Sequence, residues 1–551
     1  MSDFYYGLLG SQVATPSKFR DHKLDRALLI FCLVVLGVTV VYPTARLAFG
    51  AFGQWRWEAV TQGVGLQATI NTVLMCVASV VLAGVTGTAL AFLVTRYRFP
   101  GRGPLAGLAY LPFALPPLVG TLSFYYLIGT DGFVPRFVHE ILGFEEFAIA
   151  GPWAILLIHT YSFYVFFYAM VGAALEGMDV SQVEAARTLG ASPWLAFRQI
   201  TLPMLSPALL GAALLTFMTS GASFSAPLFF GNDFPYLSVQ IFKERSQFHV
   251  AEALTLTVVL ACISLAGVFV FRTRRKATGV TSKGTPRPVR SRSGRIVAGL
   301  FAWGFIALIL TPHAVITGLS FVDHREWYTE LIPTVFTLEN YTTIFSNPAA
   351  FRPIRNSLLM GIVAAAATLA VGLPAAYLIG RGRRGARWVN ILVMIPWALP
   401  GTVIAMNLIA AFNDAWLPLY NTVLILPLAY FVRNIPLLTR MATAAISQFD
   451  ASLMEAGRTL GASRMYCVRH IVLPLLAPAL VAATALVFAT CLGEFVASIL
   501  LYSPANLPIA IQINMEWRGS GVGSAFAYSV FLMILVTTTF LISRRLASRV
   551  I

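Results

Sequence analysis

Twelve stretches of near-continuous apolar residues divide this chain, at roughly 27–49, 69–94, 104–128, 150–172, 203–226, 250–271, 296–320, 356–380, 387–411, 420–443, 474–497 and 521–543. Each is of the length that crosses a hydrocarbon core, which takes roughly 20 helical residues. The blocks are continuously apolar, not alternating, which predicts helices over barrel strands. Tyr, His and Arg interrupt the fourth and tenth, so those two have the softest boundaries. The pattern predicts an all-α polytopic membrane protein with about twelve transmembrane helices.

Composition points the same way. Hydrophobic residues make up 58% of the chain and charged residues 11%, against roughly 25% charged in a soluble domain. With the N-terminus inside, the inner segments hold 29 of the 39 Lys and Arg residues and the outer segments nine, while Arg433 lies within a span. That bias predicts both termini in the cytoplasm. The net charge of +16 is then a topology signal, and no soluble stretch exists to carry a nucleic-acid surface. The first 26 residues are mixed and polar, and the block that follows is too long for the core of a cleavable signal. No CxxC pair occurs among the five cysteines, which predicts apolar fillers and no metal site.

The chain repeats itself. NTVLMCVASVVLAGVTGTALAFLVTRYR from Asn71 matches NSLLMGIVAAAATLAVGLPAAYLIGRGR from Asn356, and LPFALPPLVGTL around Pro112 and Pro116 matches IPWALPGTVIAM around Pro396 and Pro400. Six spans per half is an even number, so the halves share one orientation, a parallel repeat about an axis along the membrane normal. The expected organisation is a cytoplasmic tail 1–26, a first half 27–271, a basic cytoplasmic linker 272–295 and a second half 296–551. The segments 321–355 and 227–249 are the long outer loops, and candidates for meeting a partner outside the membrane.

Within the repeat lies its most specific pattern. EAARTLGASPWLAFRQITLP runs from Glu184 to Pro203, and EAGRTLGASRMYCVRHIVLP from Glu455 to Pro474. Twelve positions are identical, and an Asp precedes each Glu by five residues, Asp179 and Asp450. Small residues beside the carboxylate (Ala185, Ala186; Ala456, Gly457) suit close backbone approach, and the carboxylate suits an Arg partner. Gly190 and Gly461 suit the turn out of the helix, and Pro203 and Pro474 the start of the next span.

This pattern resembles the EAA loop of membrane subunits of bacterial ATP-binding-cassette importers, a short cytoplasmic helix that docks on the ATPase. The resemblance implies an inner-membrane permease with two copies of a cytoplasmic ATP-binding subunit and a periplasmic solute-binding protein as partners. ATP and Mg would bind those subunits, and no cofactor would bind this chain. Consistently, no GxxxxGK[ST] phosphate loop, HExxH or dinucleotide fingerprint occurs, so the chain is not expected to be an enzyme by itself. A gradient-driven secondary transporter, also often built of two parallel six-span halves, would show repeated intramembrane carboxylates and no docking loops. GEFVASILLYSPANLPIAIQI from Gly493 and ALPGTVIAMNL from Ala398 resemble the fused permeases of the ferric-iron branch. The wider group includes permeases for thiamine, 2-aminoethylphosphonate, polyamines and sulfate.

Few ionisable groups sit in the spans. Glu494, in CLGEFVAS, either lines or gates the pathway or forms a structural pair with Arg433, and its counterpart in the first half is Ser223. Arg433 either anchors packing or, like Ser223, is a pathway or gating candidate, and His159 and Asn407 are expected to bond between helices. Pro116 and Pro400 break helices, which is tolerated where backbone lines a cavity, and are gating candidates.

Overall fold

The computed structural model describes residues 22–144, 148–271, 287–289, 291–323, 326, 334–413, 417–519 and 521–547. The N-terminal tail and most of the basic linker lie outside these residues. Among them, nine helices are long and apolar enough to cross a membrane, from Lys23–Gly53 to Val522–Ser543. Two further helix pairs are apolar enough only when taken together and are sharply bent, as a broken span or a re-entrant loop is: Arg102–Ala114 with Pro117–Leu142 at 104°, and Ala386–Ala398 with Gly401–Phe412 at 111°. The tenth block falls on the 24-residue helix Ile425–Gln448, whose Arg433 and Arg440 dilute its apolar character.

The third and ninth blocks therefore do not run straight. Each breaks at a Leu-Pro step, Leu115–Pro116 and Leu399–Pro400, where the backbone is extended. Proline disfavours the helical conformation for the residue before it and supplies no N–H, so the prolines at each break stop one helix and start another. The fifth and eleventh spans begin earlier than the apolar blocks do. A wide π-turn, Phe197–Thr201 or Val468–Val472, leads into the α-helices Leu202–Gly221 and Leu473–Leu492. Pro203 and Pro474 sit in the first turn of those helices, and the wide turn just before each accommodates the ring.

The halves exchange their first spans. In the first span, Tyr42 OH donates to the Ala411 carbonyl (3.3 Å), and Asn407 Nδ2 donates to Thr44 Oγ1 (3.2 Å). Nearer its start, Asp25 pairs with Arg383 (3.4 Å). Reciprocally, the seventh span Arg292–Leu319 packs on the first half: Tyr161 OH donates to the Ile309 carbonyl (2.9 Å) and Ser123 to the Pro312 carbonyl. Ser123 and Asn407 are equivalent positions of the repeat. Segments expected on one face meet there: Asp25 meets Arg383, and Tyr97–Arg98 pairs in parallel with Arg287–Pro288.

The segment 227–249 is not a free loop. Ser225–Phe230 and Leu237–Ser246 are helical, and Phe230, Tyr236, Leu237 and Ile241 are buried. Asn71 Nδ2 donates to the Pro235 carbonyl (3.1 Å) and Leu237 N to Thr72 Oγ1 (3.0 Å). The second half repeats both bonds: Asn356 Nδ2 donates to the Leu507 carbonyl (3.1 Å) and Ile509 N to Ser357 Oγ (2.8 Å). An apolar segment gains more by burial than by exposure, and these bonds satisfy the backbone where its helix begins.

Candidate functional site

The two loops that carry the repeated pattern fold identically. Asp179 and Asp450 cap the helices Val180–Thr188 and Ala451–Thr459, accepting from Ser181 N (3.0 Å) and Ser452 N (2.9 Å). Hydrogen bonding to the charged form, first from the Ser452 backbone, holds the Asp450 carboxyl below the usual carboxylate range. Each helix ends in a glycine with positive φ, Gly190 at 89° and Gly461 at 87°. Around each, two bonds satisfy the last carbonyls: Ala191 N to Ala186 O and Gly190 N to Arg187 O, and likewise Ala462 N to Gly457 O and Gly461 N to Arg458 O.

Glu184 and Glu455 are exposed with Ala185 and Ala456 beside them, whereas Ala186 and Gly457 turn inward. A Cβ at Gly457 would lie 3.0 Å from Ile471 Cδ1 and 3.1 Å from Cys467 Sγ. The first half has Ala186 where this glycine stands and the smaller Ala196 in place of Cys467. The two halves thus fill one joint with the same volume differently divided. Leu189 and Leu460, at equivalent places, are each 89% exposed at the helix ends. Two large apolar side chains are thus exposed at matched places of the two halves.

A second constellation lies where the halves meet. Phe224 and Phe495 are equivalent residues, and their rings touch edge to face with centroids 5.8 Å apart. A contact between symmetry equivalents lies at the pseudo-twofold axis, so these rings meet where the two halves meet. Beside them, Pro116 of the first half lies against Gly493 of the second, 3.5 Å from where a Cβ would stand. Pro116 and Pro400 each begin the second limb of a bent span.

Next to Phe495, Glu494 Oε2 pairs with Arg433 Nε at 2.6 Å, and its Oε1 accepts from Ala497 N at 3.0 Å. Arg433 passes over Gly401, whose Cβ would fall 2.4 Å from Nη1. The first half has Ser223 for Glu494, Ser162 for Arg433 and Pro117 for Gly401. The three positions differ together, so the ion pair and the space for it belong to one half only. The Ser223 carbonyl instead accepts from Ser238 Oγ at 2.5 Å. His159 joins Ser79 and Ser220 by its Nδ1 (2.9 and 3.2 Å); its equivalent, Tyr430, bonds Ser498 (2.8 Å). Among the described residues no group of three or more His, Cys, Asp or Glu gathers as metal ligands.

The model of the family described as "Binding-protein-dependent transport system inner membrane component" matches the chain twice, over residues 83–275 and 368–551. The chain belongs to this family. It is a multi-pass inner-membrane permease whose two family units are fused in one chain. The "Probable ABC transporter permease protein y4fN" of Sinorhizobium fredii is 30% identical, with 80% of each chain covered. The "Ferric transport system permease protein FbpB" of Actinobacillus pleuropneumoniae is 27% identical over 94% of this chain and 77% of its own. The "Sulfate transport system permease protein CysT" of Escherichia coli is 30% identical over 47% of this chain and 92% of its own, as a half-size relative would be.

Some features of this permease escape the sequence patterns used above. Leu189 and Leu460 were inside the quoted repeat, and their identity at a helix end was the available signal. The exchanged first spans leave a faint mark, Pro43-x-Ala45 and Pro312-x-Ala314, at equivalent places. The outer aromatic contacts between halves, Phe229 stacked on Trp517 at 4.1 Å and Tyr126 against Phe526 at 4.8 Å, have no repeat signature because the equivalents of Tyr126 and Phe229 are aliphatic, Ala410 and Leu500.

Proposed function

We propose that this permease forms the substrate pathway of an ATP-driven importer and takes its energy from two ATPase subunits docked at the helices Val180–Thr188 and Ala451–Thr459. The observation that carries this is the duplicated loop: two identical capped helices with an exposed carboxylate and an exposed leucine at the same places. The ATP and Mg sites belong to the partner subunits, and a solute-binding protein delivers cargo from the periplasm. Both termini and both loops face the cytoplasm, in line with the Arg and Lys bias. Closure of the ATPase pair would move the docked helices, and the continuous helical path through Phe197–Thr201 and Val468–Val472 would pass that motion to the spans that end at Phe224 and Phe495.

The cargo best supported is ferric iron, because the relative that spans 94% of this chain is a ferric permease. Sulfate, thiamine, 2-aminoethylphosphonate and a polyamine are the alternatives. The test is uptake of labelled ferric iron by vesicles holding permease, ATPase and binding protein. ATP-dependent uptake supports the reading. Uptake driven by a proton or sodium gradient with no ATPase present overturns the importer, and uptake of one of the alternatives instead overturns only the cargo.

A further inference from the structure

We infer that the cargo crosses the central path as a small oxyanion, or as a metal bound to one, and that Arg433 is the group it meets. This rests on the proposal above only in that cargo passes between the halves, not on iron. The axial rings of Phe224 and Phe495 place Glu494, the residue before Phe495, beside the path. That carboxylate does not face it. Its side chain is 6% exposed, and both oxygens are engaged, one by Arg433 Nε and one by Ala497 N. The Arg433 side chain is 33% exposed. Its Nε holds the carboxylate, and among the described residues its two Nη groups have no protein partner.

A guanidinium carries five N–H donors in a planar fork that matches oxyanions. Nη1 lies against Gly401, which leaves Nη2 as the group to be offered, on a residue whose helix neighbours Val432 and Asn434 are buried. Glu494 fixes the plane of the fork and offsets its charge, so an anion would be held weakly enough to leave again, as a pathway requires. Seven residues on, at two helical turns, Arg440 lies on the same face of Ile425–Gln448, exposed, with Nε against Met394 Sδ. The equivalents of the two arginines in the first half are Ser162 and Ala169, so the basic wall is on one side only. A bare cation would find no free carboxylate at this step, since both Glu494 oxygens are engaged, whereas an anion, free or as a ligand of ferric iron, meets a donor in Arg433.

The experiment is transport by vesicles holding the permease with its ATPase and binding protein, with labelled ferric citrate, labelled sulfate and labelled spermidine as probes. Arg433→Gln alone strands the Glu494 carboxylate, so the decisive variant is Arg433→Gln with Glu494→Gln, which removes both charges and keeps both volumes. Expected is a loss of about tenfold or more in uptake of the transported oxyanion or ferric citrate, with the thermal midpoint and ATPase retention of the parent. Arg433→Lys, which keeps the charge, should recover much of that loss. Parental uptake by the double variant would make Arg433 merely the structural partner of Glu494 and overturn the inference. Spermidine uptake by the parent would overturn it without any variant, even if the double variant failed to fold. Sulfate uptake that depends on Arg433 with no iron uptake would overturn the iron reading and leave this one standing. Iron uptake indifferent to Arg433 would do the reverse.

Discussion

Phe224 and Phe495 stand 271 residues apart at equivalent places of the repeat, and their rings meet with centroids 5.8 Å apart. Each follows a helix that begins at a docking loop, Leu202–Gly221 or Leu473–Leu492, and each precedes a segment that packs back into the core. On the proposed path the pair is the seal, at the point where motion of the two loops would arrive. An edge-to-face pair of this kind contributes about 0.5–1.5 kcal/mol beyond its buried area. That is a few times thermal energy at most, so the pair can part readily.

Replacing both rings by Leu should open the seal while keeping the site apolar. Vesicles bearing Phe224→Leu with Phe495→Leu are expected to leak small ions without ATP, at a rate well above the parent, while still binding ATPase. Parent-like tightness would place the seal at the outer contact of Phe229 with Trp517 instead.

The joint under the second loop predicts a compensation. Gly457→Ala would push a methyl to 3.1 Å from Cys467 Sγ and 3.0 Å from Ile471 Cδ1. Overpacking of this sort costs about 1–3 kcal/mol. Cys467→Ala alone leaves a gap. The double variant recreates the Ala186 and Ala196 arrangement of the first half, so its stability should exceed the sum of the single effects. Thermal midpoints of the four proteins in detergent decide it: simple additivity would mean that the two side chains do not share the space.

What was legible beforehand follows from which forces write themselves into residue types. Burial in lipid demands apolar blocks, so all twelve helical positions could be read. Proline leaves no freedom at its break, so the bends at Pro116 and Pro400 could be read as breaks, though not their angles. Gly190 and Gly461 announce positive φ because other residues resist it. The exchange of first spans was not legible, because Tyr42, Ser123 and Tyr161 bond to backbone carbonyls, which every residue carries. Nor was the orientation of the ion pair: two intramembrane charges name a pair, but which member faces the path depends on packing around Gly401 and Ala497. The helices within 227–249 were not legible because Ser238, Gln240 and Glu244 give that segment a polar look; Gln240 Nε2 donates to Glu244 Oε1 at 2.6 Å.

Asp450 predicts a pH response confined to its own helix. Its carboxyl is held below the usual range in the folded loop by bonding to Ser452. A depressed folded value stabilises above the unfolded value, about 3.9 for Asp. That stabilisation is lost as pH falls below it through the folded value. Amide exchange in residues 451–459 should therefore be steady from pH 5 to 8, after correction for intrinsic exchange, and accelerate below about pH 4. Asp450→Asn retains a cap and should show no such step. Asp450→Ala should exchange faster at every pH. A step of equal size in the Asn variant would assign the response to another group.

Coupling is the prediction with most at stake for the proposed function. Glu184 and Glu455 are exposed on matched helices, and Leu189 and Leu460 project from the ends of those helices. A docking groove that seats the leucine and pairs the carboxylate would use both. Loss of one charge-assisted contact costs about 1.5–3 kcal/mol, so Glu184→Ala with Glu455→Ala should weaken ATPase binding by roughly 100-fold or more, and each single variant by less. Unequal single effects are expected, since Ala186 and Gly457 set the two helices on different bases. Leu189→Ser with Leu460→Ser removes apolar contact without touching charge, and should also release the ATPase, with a loss insensitive to salt. The carboxylate loss should shrink at high salt, where the parent contact is itself screened. Retention of the ATPase on affinity resin, measured for both double variants at low and high salt beside thermal midpoints, separates docking from folding. Full retention and full uptake in both would remove these loops from the coupling path and leave the ATPase docked elsewhere.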